Sequence, residues 1–216
     1  MLQAGLWKDH YNRSNYEGSW STLQLRSVDG SLNNNTAIHA GAENIFKDTP
    51  LMEKCAYIKQ VVDFFKIEKT AVRLMKLNAG AVIKPHSDPG LNFEEGELRL
   101  HIPVITNDQL FFYLQEERLQ MEEGTAWYMN LSLQHSVRNE GKTDRVHLVI
   151  DGIVNDWLKA YFNEPQHFKA EMEAPAAKDY STADKRKIIE QLRQMNTETG
   201  NRLAVEMEAD LQQINS

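Results

Sequence analysis

Strand-like runs between about residues 70 and 152 constrain the fold of this 216-residue chain more than any other feature. Apolar and polar residues alternate along these runs, and Gly, Asn and Asp residues fill the breaks between them. The runs are TAVRLMKL, ELRLHIPVI, LFFYLQ, TAWYMNLS and RVHLVIDGIV. Period-two alternation indicates half-buried strands, and several short strands at this spacing predict an antiparallel sandwich or barrel.

Helical patterns stand on both sides of the strand region. From Pro50, apolar residues recur at intervals of three and four, which predicts an amphipathic supporting helix that ends near Lys66. After Trp157 the sequence becomes charged and helical, with Ser181 in position to cap a helix. We therefore predict a mainly β domain over residues 1–165 and a C-terminal helical extension over 166–216, which provides packing or a homodimer surface.

Charge and composition exclude several classes of function. The formal net charge is −7, and the 24 basic residues form no stripe, so nucleic acid and anionic membranes are poor candidate partners. The first ten residues lack a basic segment followed by an apolar run, and no stretch reaches transmembrane length, so we expect a cytoplasmic protein. The single cysteine, Cys55, excludes an intramolecular disulfide and a cysteine-based metal cage.

The segment KPHSDPG contains a candidate chelating pair. His86 and Asp88 are two residues apart, so on a strand their side chains face the same side. Taken alone, the motif fits a turn with a salt bridge better than a metal site. His135 lies 49 residues after His86, and a double-stranded β-helix can bring such distant strands together. Two imidazoles and a carboxylate suit Fe(II) with open positions, while zinc remains an alternative.

Cationic residues on two strands suggest a bound carboxylate. Arg145 shares a strand face with His147, and an inward-facing arginine is costly unless an anion meets it. A dicarboxylate cosubstrate would serve that purpose. Arg99 and His101, also two apart, form a second cationic pair on the same predicted side. The alternative is a set of surface salt bridges with nearby acidic residues, namely Glu94, Glu95, Glu97 and Asp144.

Together these residues resemble the aspartyl/asparaginyl/proline hydroxylases, a family of iron(II)- and 2-oxoglutarate-dependent oxygenases. The resemblance runs from about residue 71 to 152, through PHSDPG, LRLHIPVITN, GTAWYMN, QHSVRNEG and DRVHLVID, with order and spacing in agreement. It implies a double-stranded β-helix, the cupin-like jelly roll. The iron ligands that it implies are His86, Asp88 and His135.

The resemblance also implies roles for the cations. Arg145 would bind the distal carboxylate of 2-oxoglutarate, and Arg99, helped by His101, would bind the carboxylate near the metal. Arg73 matches a substrate-carboxylate contact of the bacterial proline hydroxylases. Trp127 and Trp20 are expected to form a wall of the substrate pocket or ordinary core.

Two departures from the family pattern help to distinguish its peptide-hydroxylating branch from its small-molecule branch. Asp88 stands where the vertebrate peptide-hydroxylating branch has glycine, which favours the small-molecule branch with a complete triad. Met75 stands where that peptide branch has a serine that helps to hold the cosubstrate.

The implied activity is hydroxylation of an unactivated C–H bond in a free amino acid, proline-like or a derivative, with Fe(II), 2-oxoglutarate and O₂. One alternative is a peptidyl aspartyl/asparaginyl β-hydroxylase, and another is a non-oxidative cupin-like metal protein, which Arg145 disfavours. Halogenation is disfavoured because Asp88 fills the position that a halide needs.

Overall fold

The computed structural model describes residues 6–34, 45–164 and 181–194, together with 204–205, 207–209 and 211. The chain forms two compact units, Met1–His167 and Phe168–Ser216. The boundary predicted at 165/166 lies outside the described residues and stays a prediction.

The described strands of the first unit form two antiparallel sheets. The larger sheet has the strand order β1-β3-β5-β12-β7-β10, with β4 paired to β3. Its strands are β1 (Lys8–Asp9), β3 (Trp20–Val28), β4 (Phe46–Asp48), β5 (Glu68–Leu77), β7 (Glu97–Ile105), β10 (Trp127–Tyr128) and β12 (Arg145–Ile153). Because β12 pairs with both β5 and β7, strands far apart in the sequence form the centre of this sheet.

The smaller sheet has the strand order β2-β6-β11-β8-β9. Its strands are β2 (Tyr16–Glu17), β6 (Val82–His86), β8 (Leu110–Leu114), β9 (Glu117–Leu119) and β11 (His135–Asn139). Short 3-10 turns at Arg13–Asn15 and Phe93–Glu95 lie between strands. The predicted jelly-roll arrangement of antiparallel strands is confirmed.

Two apolar clusters define the layers of the first unit. One cluster lies between the sheets and combines Met75 and Val149 of the larger sheet with Ile83 and Phe112 of the smaller sheet. The other packs the opposite face of the larger sheet against helices, and it contains Leu148. Alternate residues of β12 therefore face opposite layers, as its sequence pattern predicts.

The described part of the first unit contains three α-helices. The predicted helix from Pro50 to Lys66 is interrupted, so that α1 spans Pro50–Glu53 and α2 spans Ala56–Phe64. Cys55 separates them with a non-helical ψ of 60°, although its side chain is buried as the pattern predicts. The third helix, α3 (Asp156–Phe162), follows the N-cap residue Asn155, whose side chain accepts a hydrogen bond from the Leu158 N–H.

The second unit contains helix α4 (Thr182–Gln194), which starts directly after Ser181, the predicted cap. A small apolar cluster of Ile189, Ala204 and Leu211 lies within this unit. Among the described residues, no helix combines the length and the apolar character needed to cross a membrane.

Candidate active site

Three candidate metal ligands converge at one edge of the smaller sheet. His86 ends β6 and His135 begins β11, and the two residues are direct partners in the antiparallel pairing of these strands. Asp88 follows β6, and its backbone N–H donates to the Leu131 carbonyl at 2.9 Å. One ligand atom from each of the three side chains lies within 4.8 Å of the others. The structure therefore brings together two imidazoles and a carboxylate, the donor set that suits Fe(II).

Hydrogen bonds fix the tautomers of both histidines. The His86 Nδ1 lies 2.8 Å from the Lys84 carbonyl, and the His135 Nδ1 lies 3.0 Å from the Leu133 carbonyl. A carbonyl only accepts, so each Nδ1 carries the proton and each Nε2 presents a lone pair. Burial lowers the pKa of His135, which favours the neutral, metal-binding form.

A buried ion-pair network lies beside these ligands. Arg99 donates from Nη1 to Asp88 Oδ2 at 2.8 Å, from Nε to Asp151 Oδ1 at 2.6 Å, and from Nη2 to Asp151 Oδ2 at 3.0 Å. The Arg73 Nη2 also donates to Asp151 Oδ2. The positive charges of Arg73 and Arg99 hold the pKa of Asp151 below its usual range against the effect of burial. Asp151 thus orients both arginines, and Arg99 in turn positions the Asp88 carboxylate.

Asp151 was missed by the sequence analysis. It ends the RVHLVID run and lies directly opposite Arg99 across the β12–β7 pair. Opposite charges at directly paired positions are the signal that would have found it, but only once the strand pairing was known.

Arg145 has a different environment from the other two arginines. Its side chain is almost completely buried, and within the described ranges it has no carboxylate partner and no acceptor for its Nε–H. Its Nη2 donates to the His147 Nδ1 at 2.8 Å. Burial lowers the pKa of Arg145 to about 9, so the guanidinium is still charged at neutral pH. An anionic ligand would supply the partner that this buried cation lacks among the described residues.

His101 and His147 complete the surroundings of Arg145. Because the His147 Nδ1 accepts from arginine, the His101 Nδ1, 3.2 Å away, must donate to it. His101 Nε2 is then a buried acceptor that has no partner in the described part of the chain. Burial and the charge of Arg145 lower the pKa of both rings, which are therefore neutral. A donor contact from His101 to a carboxylate would require the opposite tautomer.

One cavity of about 300 Å³ contains the candidate metal ligands and the buried arginines. It is lined by the three candidate ligands, by Arg73, Arg99 and Arg145, and by His101 and Asp151. Met75 also lines it, where the peptide branch is expected to have serine, and a thioether offers no donor to a carboxylate.

Of the two tryptophans proposed as walls, Trp20 lines the cavity and Trp127 is not among the described lining residues. Trp127 lies opposite His101 on the edge strand β10, packs against the cluster between the sheets, and donates from Nε1 to Thr125 Oγ1 at 2.7 Å. The N-terminal residue His10, which the sequence analysis did not single out, also lines the cavity.

The profile of one protein family, described as aspartyl/asparaginyl beta-hydroxylase, matches residues 3–154. Over 137 residues the chain is 29% identical to the L-proline cis-4-hydroxylase of Rhizobium meliloti (strain 1021), and the match covers 62% of this chain. It covers 48% of that relative, so the chain spans about half the length of the curated protein that it matches.

Solved structures give more distant similarities. A 2OG-Fe(II) oxygenase-family oxidoreductase from Burkholderia pseudomallei has a TM-score of 0.42 and 14% identity, over 62% of this chain and 68% of that one. A predicted oxalate decarboxylase from Thermotoga maritima has a TM-score of 0.39 and 13% identity, over 68% of this chain and 92% of that one. The family profile match covers most of the 216 residues. On that match, the chain belongs to the aspartyl/asparaginyl beta-hydroxylase family.

Proposed function

We propose that this chain is an iron(II)- and 2-oxoglutarate-dependent dioxygenase that hydroxylates an unactivated C–H bond of a free amino acid, proline-like or a derivative. The observation that carries the proposal is the buried Arg145, which lines the same cavity as the candidate ligand triad and has no carboxylate partner among the described residues. Family membership and the similarity to an L-proline cis-4-hydroxylase support the reaction class and the kind of substrate.

His86, Asp88 and His135 would hold the iron. The carbonyls of Lys84 and Leu133 keep both imidazole Nε2 lone pairs free for it. When bound, iron and 2-oxoglutarate supply the activation of O₂ that oxidises a C–H bond, with succinate and CO₂ as the other products.

The cosubstrate would be held by cations on the inner face of the larger sheet. Arg145 would exchange its neutral partner, His147, for the distal carboxylate of 2-oxoglutarate, which forms a charge-assisted hydrogen bond in a dry site. Arg99 makes three donor contacts and has two of its five N–H groups left for the carboxylate near the metal. His101 can help only after its ring proton moves to Nε2.

The substrate would occupy the part of the cavity near Arg73 and Trp20. Arg73 is the proposed contact for the substrate carboxylate, although Asp151 already neutralises much of its charge. The apolar side chains of Met75 and Leu131 line the cavity and limit access of water to the reacting centre. A cytoplasmic location and a homodimer remain predictions from the sequence.

The test is a panel of free amino acids incubated with the purified chain, Fe(II), ascorbate and 2-oxoglutarate. One amino acid, with L-proline the first choice, should raise succinate above the uncoupled background and gain one oxygen atom. The His135→Ala variant serves as the control because it lacks one metal ligand. If every amino acid fails and an Asp- or Asn-containing peptide succeeds, the peptidyl hydroxylase replaces this proposal.

A further inference from the structure

An imidazole that the proposed chemistry does not use forms part of the cavity wall. His10, just after β1, lies in stacked contact with Trp20 of β3, with ring centroids 3.6 Å apart and an interplanar angle of 11°. His10 is 8% exposed and Trp20 is 6% exposed, and both line the cavity that contains the candidate ligands. The Trp20 ring is in turn 6.5 Å from that of His86, so the stacked pair stands close to the proposed metal.

The contacts of His10 determine what it offers to a ligand. The Asn12 backbone N–H donates to the His10 Nδ1 at 3.4 Å, so the ring proton lies on Nε2. Burial, together with the positive charges of Arg73 and Arg99, lowers the pKa of His10 to about 3. At neutral pH the ring is therefore an uncharged donor, and the plane of the Trp20 indole limits its rotation.

Two neighbouring side chains of the cavity wall also carry N–H groups without an acceptor among the described residues. The Trp20 Nε1–H and the Arg73 Nε–H are buried and have no acceptor among the described residues. The Arg73 Nη2 is already committed to Asp151, so its guanidinium presents less charge to a ligand than a free arginine does. Several N–H donors around one cavity recognise a group that only accepts, and a carboxylate is the group that accepts most strongly.

We propose that His10 is a specificity-determining residue whose Nε2–H donates to the carboxylate of the amino-acid substrate beside Arg73, with Trp20 as the platform that orients the ring. This assignment rests on the proposed function. A neutral donor adds recognition of the carboxylate without placing a further charge in a cavity that already holds three arginines. It also orients the substrate relative to the metal, because the carboxylate is held from two sides.

Two variants separate hydrogen bonding from packing. His10→Phe keeps a flat ring on Trp20 and removes the donor, whereas His10→Gln keeps an N–H donor and removes the ring. The probes are L-proline and L-prolinamide, which differ in the group that His10 is proposed to bind. Binding is measured by anaerobic calorimetry in the presence of metal and 2-oxoglutarate, and turnover is measured by succinate formation.

We expect His10→Phe to weaken L-proline binding about tenfold, as the loss of a hydrogen bond to a charged group implies. The Michaelis constant for 2-oxoglutarate and the thermal midpoint should change little. The preference for L-proline over L-prolinamide should shrink in His10→Phe and be partly restored in His10→Gln.

Three outcomes would overturn the assignment. Unchanged L-proline binding in His10→Phe, with normal turnover, rejects the role of His10 and leaves the proposed function in place. Equal losses in both variants, together with a lower thermal midpoint, show that His10 only packs against Trp20. If the unmodified chain turns over no free amino acid, the proposed function fails and this assignment fails with it.

Discussion

Replacing Arg145 with methionine should separate ligand binding from protein stability. The side chain is 2% exposed, and its Nε–H has no acceptor in the described part of the chain. Its Nη2 donates to the neutral His147. An unpaired buried cation lowers the stability of the ligand-free protein, so Arg145→Met should leave the free energy of unfolding unchanged or higher. The same change should remove the main anchor for the distal carboxylate of 2-oxoglutarate.

The size of the binding loss follows from the burial of Arg145. Removing one partner of a buried, charge-assisted pair costs about 2–5 kcal/mol, and each 1.4 kcal/mol is about tenfold, so 2-oxoglutarate should bind at least about thirtyfold more weakly. The Michaelis constant for the amino acid should change much less. Arg145→Lys should recover only part of the affinity, because a point charge does not reproduce the planar guanidinium fork.

Ligand-dependent unfolding measures this loss without turnover. With a redox-inert divalent metal and 2-oxoglutarate at 100 times the parent dissociation constant, the parent should gain about 2.7 kcal/mol of stability. A variant that binds thirtyfold more weakly should gain only about 0.9 kcal/mol under the same conditions. Equal stabilisation of parent and Arg145→Met would show that Arg145 does not bind the cosubstrate.

Three further predictions concern the candidate iron ligands, the ion-pair network of Asp151, and Trp127. Replacement of any one candidate iron ligand (His86→Ala, Asp88→Ala or His135→Ala) should abolish turnover. It should also abolish the visible charge-transfer band in anaerobic titrations with Fe(II) and 2-oxoglutarate, while far-UV circular dichroism stays parent-like. Parent-like bands in all three variants would reject the triad. Asp151→Asn should lower the free energy of unfolding in urea by about 3–5 kcal/mol at pH 7, because two buried arginines lose their shared carboxylate. The folded-state pKa of Asp151 is lowered from 3.8, so the stability that the carboxylate adds is present above about pH 4 and shrinks as the pH falls through the folded pKa. A difference in unfolding free energy between parent and Asp151→Asn that does not change with pH would contradict the reasoning. Trp127→Phe should leave the Michaelis constant for the amino acid within about twofold, since the indole is not among the lining residues of the cavity, and a larger change would place it in the substrate site.

The sequence predicts the inner and outer faces of strands well, because alternation is a local property. The inward direction of Arg145 follows from its place in the alternation of β12. The two-residue spacing of His86 and Asp88 predicts that both face one side of a strand, but β6 ends at His86, and a backbone hydrogen bond to Leu131 fixes Asp88 just beyond the strand. The order of the strands in the sheet is not a local property, because the residues of β12 pair with residues 41–56 positions earlier in β7 and 68–85 positions earlier in β5.

What the sequence does not predict depends on those long-range pairings. Arg99 was predicted to be available for a carboxylate, but its position directly opposite Asp151, 52 residues later, gives it an internal partner. Trp127 lies on the edge strand β10 directly opposite His101, and it is not among the described residues that line the cavity. The break at Cys55 between α1 and α2 leaves the apolar spacing intact, so periodicity alone does not reveal it.

The most direct test of the central claim is the fate of oxygen from isotopically labelled O₂. The chain is incubated with Fe(II), 2-oxoglutarate and the amino acid that the panel selects, and both products are analysed by mass spectrometry. The account predicts one labelled oxygen atom in the hydroxylated amino acid and one in succinate. After subtraction of the uncoupled background the two products should form in equal amounts, and His135→Ala should form neither. Hydroxylated amino acid without label, or succinate that does not rise above the uncoupled background when the amino acid is added, would contradict it.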